Sequence, residues 1–208
     1  MRLFLLTGEV QEGKTRWLEA QLAALQAAGV EAWGILTPGQ WVAREGASNA
    51  GAAEPIFDKQ GIDMVFYPEQ TRKVFARRAD LVREGDGTRG FSHDGSGRTM
   101  LWHFVPERFA EANELYARMR NLKADDACAR VAVLDEVGRL ELRGEGLMEG
   151  MAFLDGGPHP AFGAAVAIVR RELLEAARQR FAGTWGENLQ VIGPDEDGAR
   201  ALLEAFQR

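Results

Sequence analysis

The sequence predicts an α/β fold: a mainly parallel, doubly wound central sheet flanked by helices and interrupted by an antiparallel β-rich insertion. Three observations predict it. Five short apolar runs alternate with segments of helical periodicity, the pattern of repeated strand-helix units. The first run leads at once into Gly8-Glu9-Val10-Gln11-Glu12-Gly13-Lys14-Thr15, which fits G-x-x-x-x-G-K-[ST]. Residues 40–105 lose the helical period and read as short β-rich pieces separated by polar, Gly-rich turns. The chain, 1–208, therefore reads as a single domain with a β-meander insertion at about 40–105.

Leu3, Phe4, Leu5 and Leu6 make the first strand. After the loop, Trp17, Leu18, Leu22 and Leu25 recur at helical spacing and Gly29 offers a C-terminal stop, so residues 16–28 should form a helix packed on the sheet. Residues 30–36 read as the next strand, closed by Thr37-Pro38-Gly39. The insertion should carry β pieces around Ile56-Phe57, 64–67, 73–76 and 100–104, and its Gly- and Asp-rich stretch 85–97 should be an exposed, mobile loop. Pro106 opens a helix with Phe109, Ala112, Tyr116 and Met119 on one face. Residues 131–134 form a buried strand, and 164–169 form another. A helix follows with Leu173, Leu174, Ala177 and Phe181 inward; 189–192 is the last strand, and the terminal helix carries Ala199, Leu202, Leu203 and Phe206.

Composition narrows the classes. The formal net charge of −6 argues against a generic polyanion-binding surface, so no nucleic-acid partner is expected. Cys128 is the sole cysteine, which excludes an internal disulfide and a cysteine-rich zinc site. His93, His103 and His159 lack ligand spacing. The leading apolar stretch is far shorter than a secretory h-region, and no run approaches the roughly 20 apolar residues of a membrane span. The expectation is a reducing, cytoplasmic setting with no membrane partner.

The loop at 8–15 is a phosphate-binding loop in its proper setting. Glycines allow its curvature, its backbone N–H groups converge on an anion, and the following helix adds its unpaired N-terminal donors. Gly8, Glu9, Val10, Gln11, Glu12, Gly13, Lys14, Thr15 and Arg16 are the candidate nucleotide-binding residues. Lys14 should reach the β- and γ-phosphates and Thr15 should ligate Mg²⁺. Such a loop needs a carboxylate at the end of another buried strand, and Val131-Ala132-Val133-Leu134-Asp135-Glu136 supplies one. Asp135 would support Mg²⁺, and Glu136 would orient and deprotonate the attacking water. Glu9 and Glu12 sit inside the loop, where two carboxylates repel a triphosphate unless their side chains point to solvent.

The chain resembles a known family at both of these places. The loop 7–15 and, above all, Leu134-Asp135-Glu136-Val137-Gly138-Arg139-Leu140-Glu141-Leu142-Arg143-Gly144-Glu145-Gly146 are similar to the two signature regions of the thermophile-type, or cancer-related, nucleoside-triphosphatases. The family's second motif runs Asp-Glu-Ile-Gly-x-x-Glu-Leu, with Val137 here for Ile. Similarity extends to the helix after Pro106 and to Val169-Arg170-Arg171-Glu172-Leu173. The resemblance implies a P-loop NTPase with a RecA-like core: a small Mg²⁺-dependent phosphohydrolase acting on ATP or other nucleoside triphosphates with little base selectivity. Family roles carry to Gly8, Gly13, Lys14, Thr15, Asp135 and Glu136.

Several roles stay open at this stage. Arg170 or Arg171, just past strand 164–169, could approach the γ-phosphate in cis, with Arg170 the assigned catalytic candidate; Arg139 and Arg143 are the next candidates and could serve a neighbouring subunit. Glu141 reads as a structural hydrogen-bond partner with a site role as the alternative, and Trp41 and Trp185 read as core residues with stacking on the nucleotide base as the alternative. The basic cluster Arg72, Lys73, Arg77, Arg78 and Arg83 reads as an exposed strand face. Two other functions share the same loop: a nucleotide or metabolite kinase whose insertion covers an acceptor, and a nucleotide-dependent adaptor in cofactor biosynthesis or transport. An oligomer or a protein partner fits either.

Overall fold

The computed structural model of the chain describes residues 1–9, 11–43, 57–82, 89–90, 102–124 and 129–207. They fall into two compact units. One comprises Met1–Leu36, Phe66–Thr71 and Phe109–Arg208; the other comprises Thr37–Val65 and Arg72–Arg108.

The first unit is α/β, built on parallel strands. Strands β1 (Arg2–Leu6), β2 (Val30–Leu36), β8 (Ala129–Val137), β9 (Ala164–Val169) and β10 (Leu189–Ile192) lie in the order β10-β1-β9-β8-β2. Every neighbouring pair in that order is parallel. The central strands β1 and β9 are near-continuous apolar runs, all six residues of β9 being buried, whereas the edge strand β10 exposes Gln190 and Val191. Helix α1 (Lys14–Ala27) packs on β2, α5 (Leu174–Trp185) on β1 and β10, and α6 (Glu196–Glu204) on β10. Leaving β1 the chain runs toward β2, and leaving β9 it runs toward β10. Neighbouring strands thus send their connections to opposite edges, which opens a crevice beyond their carboxyl ends.

Register decides what meets at that crevice. Leu6 pairs with Ile168, and Ile168 pairs with Asp135, so the three lie in one row across the sheet. The glycine-lysine loop begins two residues past this row on β1, and Arg170 lies two past it on β9. The β8–β9 register shifts between Asp135 and Val137, taking Glu136 out of the ladder. The Asp135–Glu136 peptide is cis, as is Tyr67–Pro68.

The second unit is antiparallel. Strand β3 (Gly39–Ala43) runs against β4 (Phe57–Tyr67), with a register shift between Gln40 and Trp41. Strand β5 (Thr71–Arg78) neighbours β4, and β7 (Trp102–Phe104) pairs antiparallel with both β5 and the two-residue β6 (Arg89–Gly90). Phe75 and Phe104 pack in a tilted arrangement with ring centroids 5.0 Å apart. Asp63, only 6% exposed, accepts from Gln40 Nε2 at 2.5 Å, and Gln40 Oε1 accepts in turn from Arg77. Arg72 lies 3.6 Å from the same carboxylate. Arg78 pairs with Asp80, so three residues of the basic cluster have acidic or amide partners nearby.

Several elements depart from the sequence expectation. Helix α1 begins at Lys14, so Lys14 and Thr15 belong to its first turn. Strand β4 is one continuous eleven-residue strand where two short pieces were expected, and β3 was not expected at all. Strand β8 continues through Asp135 and Glu136 to Val137. Two helices, α3 (Arg139–Leu142) and α4 (Met148–Asp155), fill a region read without helices. In helix α2 (Pro106–Met119), Leu115 is buried and Phe109 only half-buried. Leu173 falls in a 3₁₀ turn before α5 and, like Leu174, is half-buried. Leu203 is 44% exposed, whereas its neighbour Leu202 is buried. The expected loop at 85–97 lies outside the described residues apart from Arg89–Gly90, as do Ile56, Arg83, His93 and Cys128. Among the described residues no helix is long and apolar enough to cross a membrane.

Candidate functional site

The loop is already folded around its own side chains. Gly13, with φ +87°, occupies the left-handed region that glycine tolerates best, and helix α1 starts immediately after it. Trp17 N–H donates to Gly13 O at 2.8 Å, the first bond of that helix. Glu12 N–H donates to Glu9 O at 3.3 Å, and the Glu12 carboxylate accepts from Glu9 N–H at 2.6 Å, closing the turn from both sides. The Lys14 ammonium crosses the loop and donates to Gly8 O at 3.0 Å and Glu9 O at 2.7 Å. An ammonium has three donors, so a third remains for a bound anion. A Cβ on Gly8 would lie 2.2 Å from the Glu12 carboxylate and 3.5 Å from Pro194, so the loop folds closely on itself and against the turn after β10.

Asp135 joins the loop to β8. It is 2% exposed, and its Oδ2 accepts from the Thr15 hydroxyl at 3.2 Å, across 120 residues of sequence. A buried carboxylate needs such partners, because leaving it unpaired carries a large desolvation penalty. The pair also passes the test for Mg²⁺. That ion accepts one or two carboxylates and fills its shell with water and other oxygens, so one hydroxyl and one carboxylate fit it. A fully protein-built cage is a different matter: among the described residues no group of three or more His, Cys, Asp or Glu could hold a metal.

Glu136 is partly exposed and ion-paired with Arg170. Burial pushes the Arg170 guanidinium's pKa down, but attraction to Glu136, with smaller contributions from Glu172 and Glu141, holds it above its ordinary value. Arg170, expected at the γ-phosphate, is thus engaged with the neighbouring carboxylate. Arg171 pairs with Glu9. The Glu12 carboxylate is thus tied to a loop N–H, and that of Glu9 to an arginine. The signal of the arginine pairings in sequence was only the adjacency of two arginines after a strand.

The other candidates separate. Val10 lies outside the described residues, Gln11 has φ +65° in the loop, and Arg16 is exposed on α1. Arg139 and Arg143 are exposed on and just after α3. Trp185 is not available to a base: it is 1% exposed and its indole N–H donates to Leu154 O at 2.7 Å. Trp41, in the second unit, is 39% exposed with the Lys59 ammonium 6.0 Å above its ring. Glu141 is 6% exposed, and its two oxygens accept from Gly138 N–H at 3.0 Å and Leu147 N–H at 3.3 Å. Burial raises its pKa above the ordinary glutamate range despite those bonds.

No protein-family model matches the chain, no curated protein matches it, and no solved structure matches it.

Proposed function

We propose that the chain is a Mg²⁺-dependent nucleoside-triphosphate phosphohydrolase of the P-loop type, with a RecA-like core, converting NTP to NDP and phosphate. The observation that carries this reading is the Thr15–Asp135 hydrogen bond. It unites two motifs that were each ambiguous alone, a glycine-lysine loop and an acidic strand end, at one point of the crevice. Broad base use rests on the family resemblance.

In this reading the backbone N–H groups at the start of α1 and the Lys14 ammonium hold the β- and γ-phosphates. Thr15 and Asp135 would hold the magnesium ion, which when bound neutralises charge on the phosphate oxygens. Glu136 accepts the proton of the attacking water as its oxygen bonds to the γ-phosphorus. The bond from that phosphorus to the bridging oxygen breaks, and NDP leaves. Arg170 holds the Glu136 carboxylate at the crevice. Strand β9 lies between β1 and β8, so the loop strand and the carboxylate strand stand two strand spacings apart, roughly 9–10 Å.

The test is a pair of variants. Lys14→Ala should abolish hydrolysis by abolishing binding of the Mg²⁺-triphosphate. Glu136→Gln should bind it and release phosphate about 10²- to 10⁴-fold more slowly. Unchanged turnover in Glu136→Gln overturns the assigned base, and appearance of a phosphorylated small-molecule acceptor in place of free phosphate would make the protein a kinase.

A further inference from the structure

We infer that Glu9 and Arg171 form a latch at the mouth of the phosphate loop which a triphosphate opens and a diphosphate leaves closed, so that this pair sets the preference between the two nucleotides. The inference rests on the nucleotide reading above and concerns a pair of residues to which that reading gives no role.

Glu9 is the second residue of the loop, and its backbone is fixed at both polar groups: its N–H by the Glu12 carboxylate at 2.6 Å, its carbonyl by Lys14 at 2.7 Å. Its side chain is therefore anchored at the base yet 65% exposed at the tip, where it meets the Arg171 guanidinium. Arg171 is itself 68% exposed and follows β9, the strand between the loop strand and the Asp135 strand. It stands beside Arg170, whose own carboxylate partner is Glu136.

Exposed ion pairs of this kind are weak and exchange readily. A carboxylate offers Arg171 one negative charge. A terminal phosphate offers more charge and three acceptor oxygens, and the planar guanidinium matches phosphate in the same two-pronged manner as carboxylate. Once a γ-phosphate occupies the crevice, the exchange of Arg171 from Glu9 to phosphate is favourable. The freed Glu9 side chain then turns to water. A diphosphate held by Lys14 and the loop amides presents no terminal group at that distance, and the Glu9–Arg171 pair persists. Glu9 acts as a competitor that only the triphosphate outbids, and removing it should help one ligand more than the other.

The experiment is calorimetric binding of a non-hydrolysable ATP analogue and of ADP, each with Mg²⁺, to the full chain and to Glu9→Gln, Arg171→Ala, the double variant and Lys14→Ala. Glu9→Gln should tighten the analogue about three- to fivefold and ADP by less than about twofold. Arg171→Ala should weaken the analogue by a similar factor and leave ADP nearly unchanged. In the Arg171→Ala background, Glu9→Gln should lose its selective effect. Equal tightening of both ligands, or a selective gain that survives without Arg171, overturns the latch and leaves Glu9 as a diffuse repulsive charge. If the wild-type chain binds neither ligand, or Lys14→Ala binds as well as wild type, the nucleotide reading fails and the latch with it. Both substituted side chains are exposed, and melting curves of the variants identify any loss of fold.

Discussion

Glu141 is a carboxylate kept almost wholly from water, with a backbone N–H on each oxygen. Those bonds tie the start of α3 to the residue that opens α4, so the charge organises the chain just after the Asp135-Glu136 pair. Glutamine can accept with one atom only; its NH₂ would face one of the two N–H donors. Glu141→Gln should therefore cost about 1–3 kcal/mol at acidic pH, read from urea denaturation, and less at neutral pH. The pH dependence has a definite sign. Burial raises the folded pKa above the unfolded value, so the contribution of this group to stability is fully present below the unfolded pKa. It is lost as pH rises through the folded pKa, and the wild-type-minus-variant difference should fall across that window. A flat difference overturns the assignment. The sequence favours a structural role for this residue over a site role only through its place in the family-like Leu140-Glu141-Leu142. It could not supply the two amide partners, one of which lies six residues on in a segment read without helices.

At the scale of elements, the pairing of β2 with β8 shows how one helix residue completes a ladder. Gly34 has φ +121°, and a Cβ there would stand 2.0 Å from Val133 O. The Tyr116 hydroxyl from α2 enters beside it, donating to Val133 O at 2.6 Å and accepting from Ile35 N–H at 3.3 Å. Burial, more than any other influence, drives the Tyr116 pKa well above its ordinary value, so the hydroxyl stays a donor. Tyr116→Phe should cost about 1–3 kcal/mol by orphaning both backbone groups, measured as a lowered denaturation midpoint with an unchanged m-value. Sequence identified β1, β2, β9, β10 and the start of α2, because apolar runs and Pro106 are local signals. Helix α4 was not legible for a physical reason. Asn113 of α2 accepts from Glu149 N–H at 2.9 Å and donates to Gly146 O at 2.9 Å, so the cap that starts α4 comes from another helix. A cap supplied from 36 residues away leaves no mark beside the helix it starts.

At the scale of the whole molecule, the site joins segments 120 residues apart, and each was recognisable because it carries its own local motif. The arginines opposite Glu9 and Glu136 were not assignable to those partners, since which strand lies between β1 and β8 is a property of the sheet order alone. The consequence is thermodynamic. If the crevice binds Mg²⁺-triphosphate only when β1, β8 and β9 are in register, binding must stabilise the native chain by RT ln(1 + [L]/Kd), about 2.7 kcal/mol at a hundredfold excess over Kd. The melting temperature should rise with ligand concentration, whereas Lys14→Ala should melt at one temperature whatever the nucleotide present. Hydrogen exchange locates the effect: protection should appear at the amides of residues 12–16 and spread to the β8 segment around Asp135, because Thr15 couples the two. Protection confined to the loop would show that the Thr15–Asp135 bond does not transmit binding to the sheet. A uniform rise in melting temperature in both proteins would mean that nucleotide acts elsewhere than at the loop.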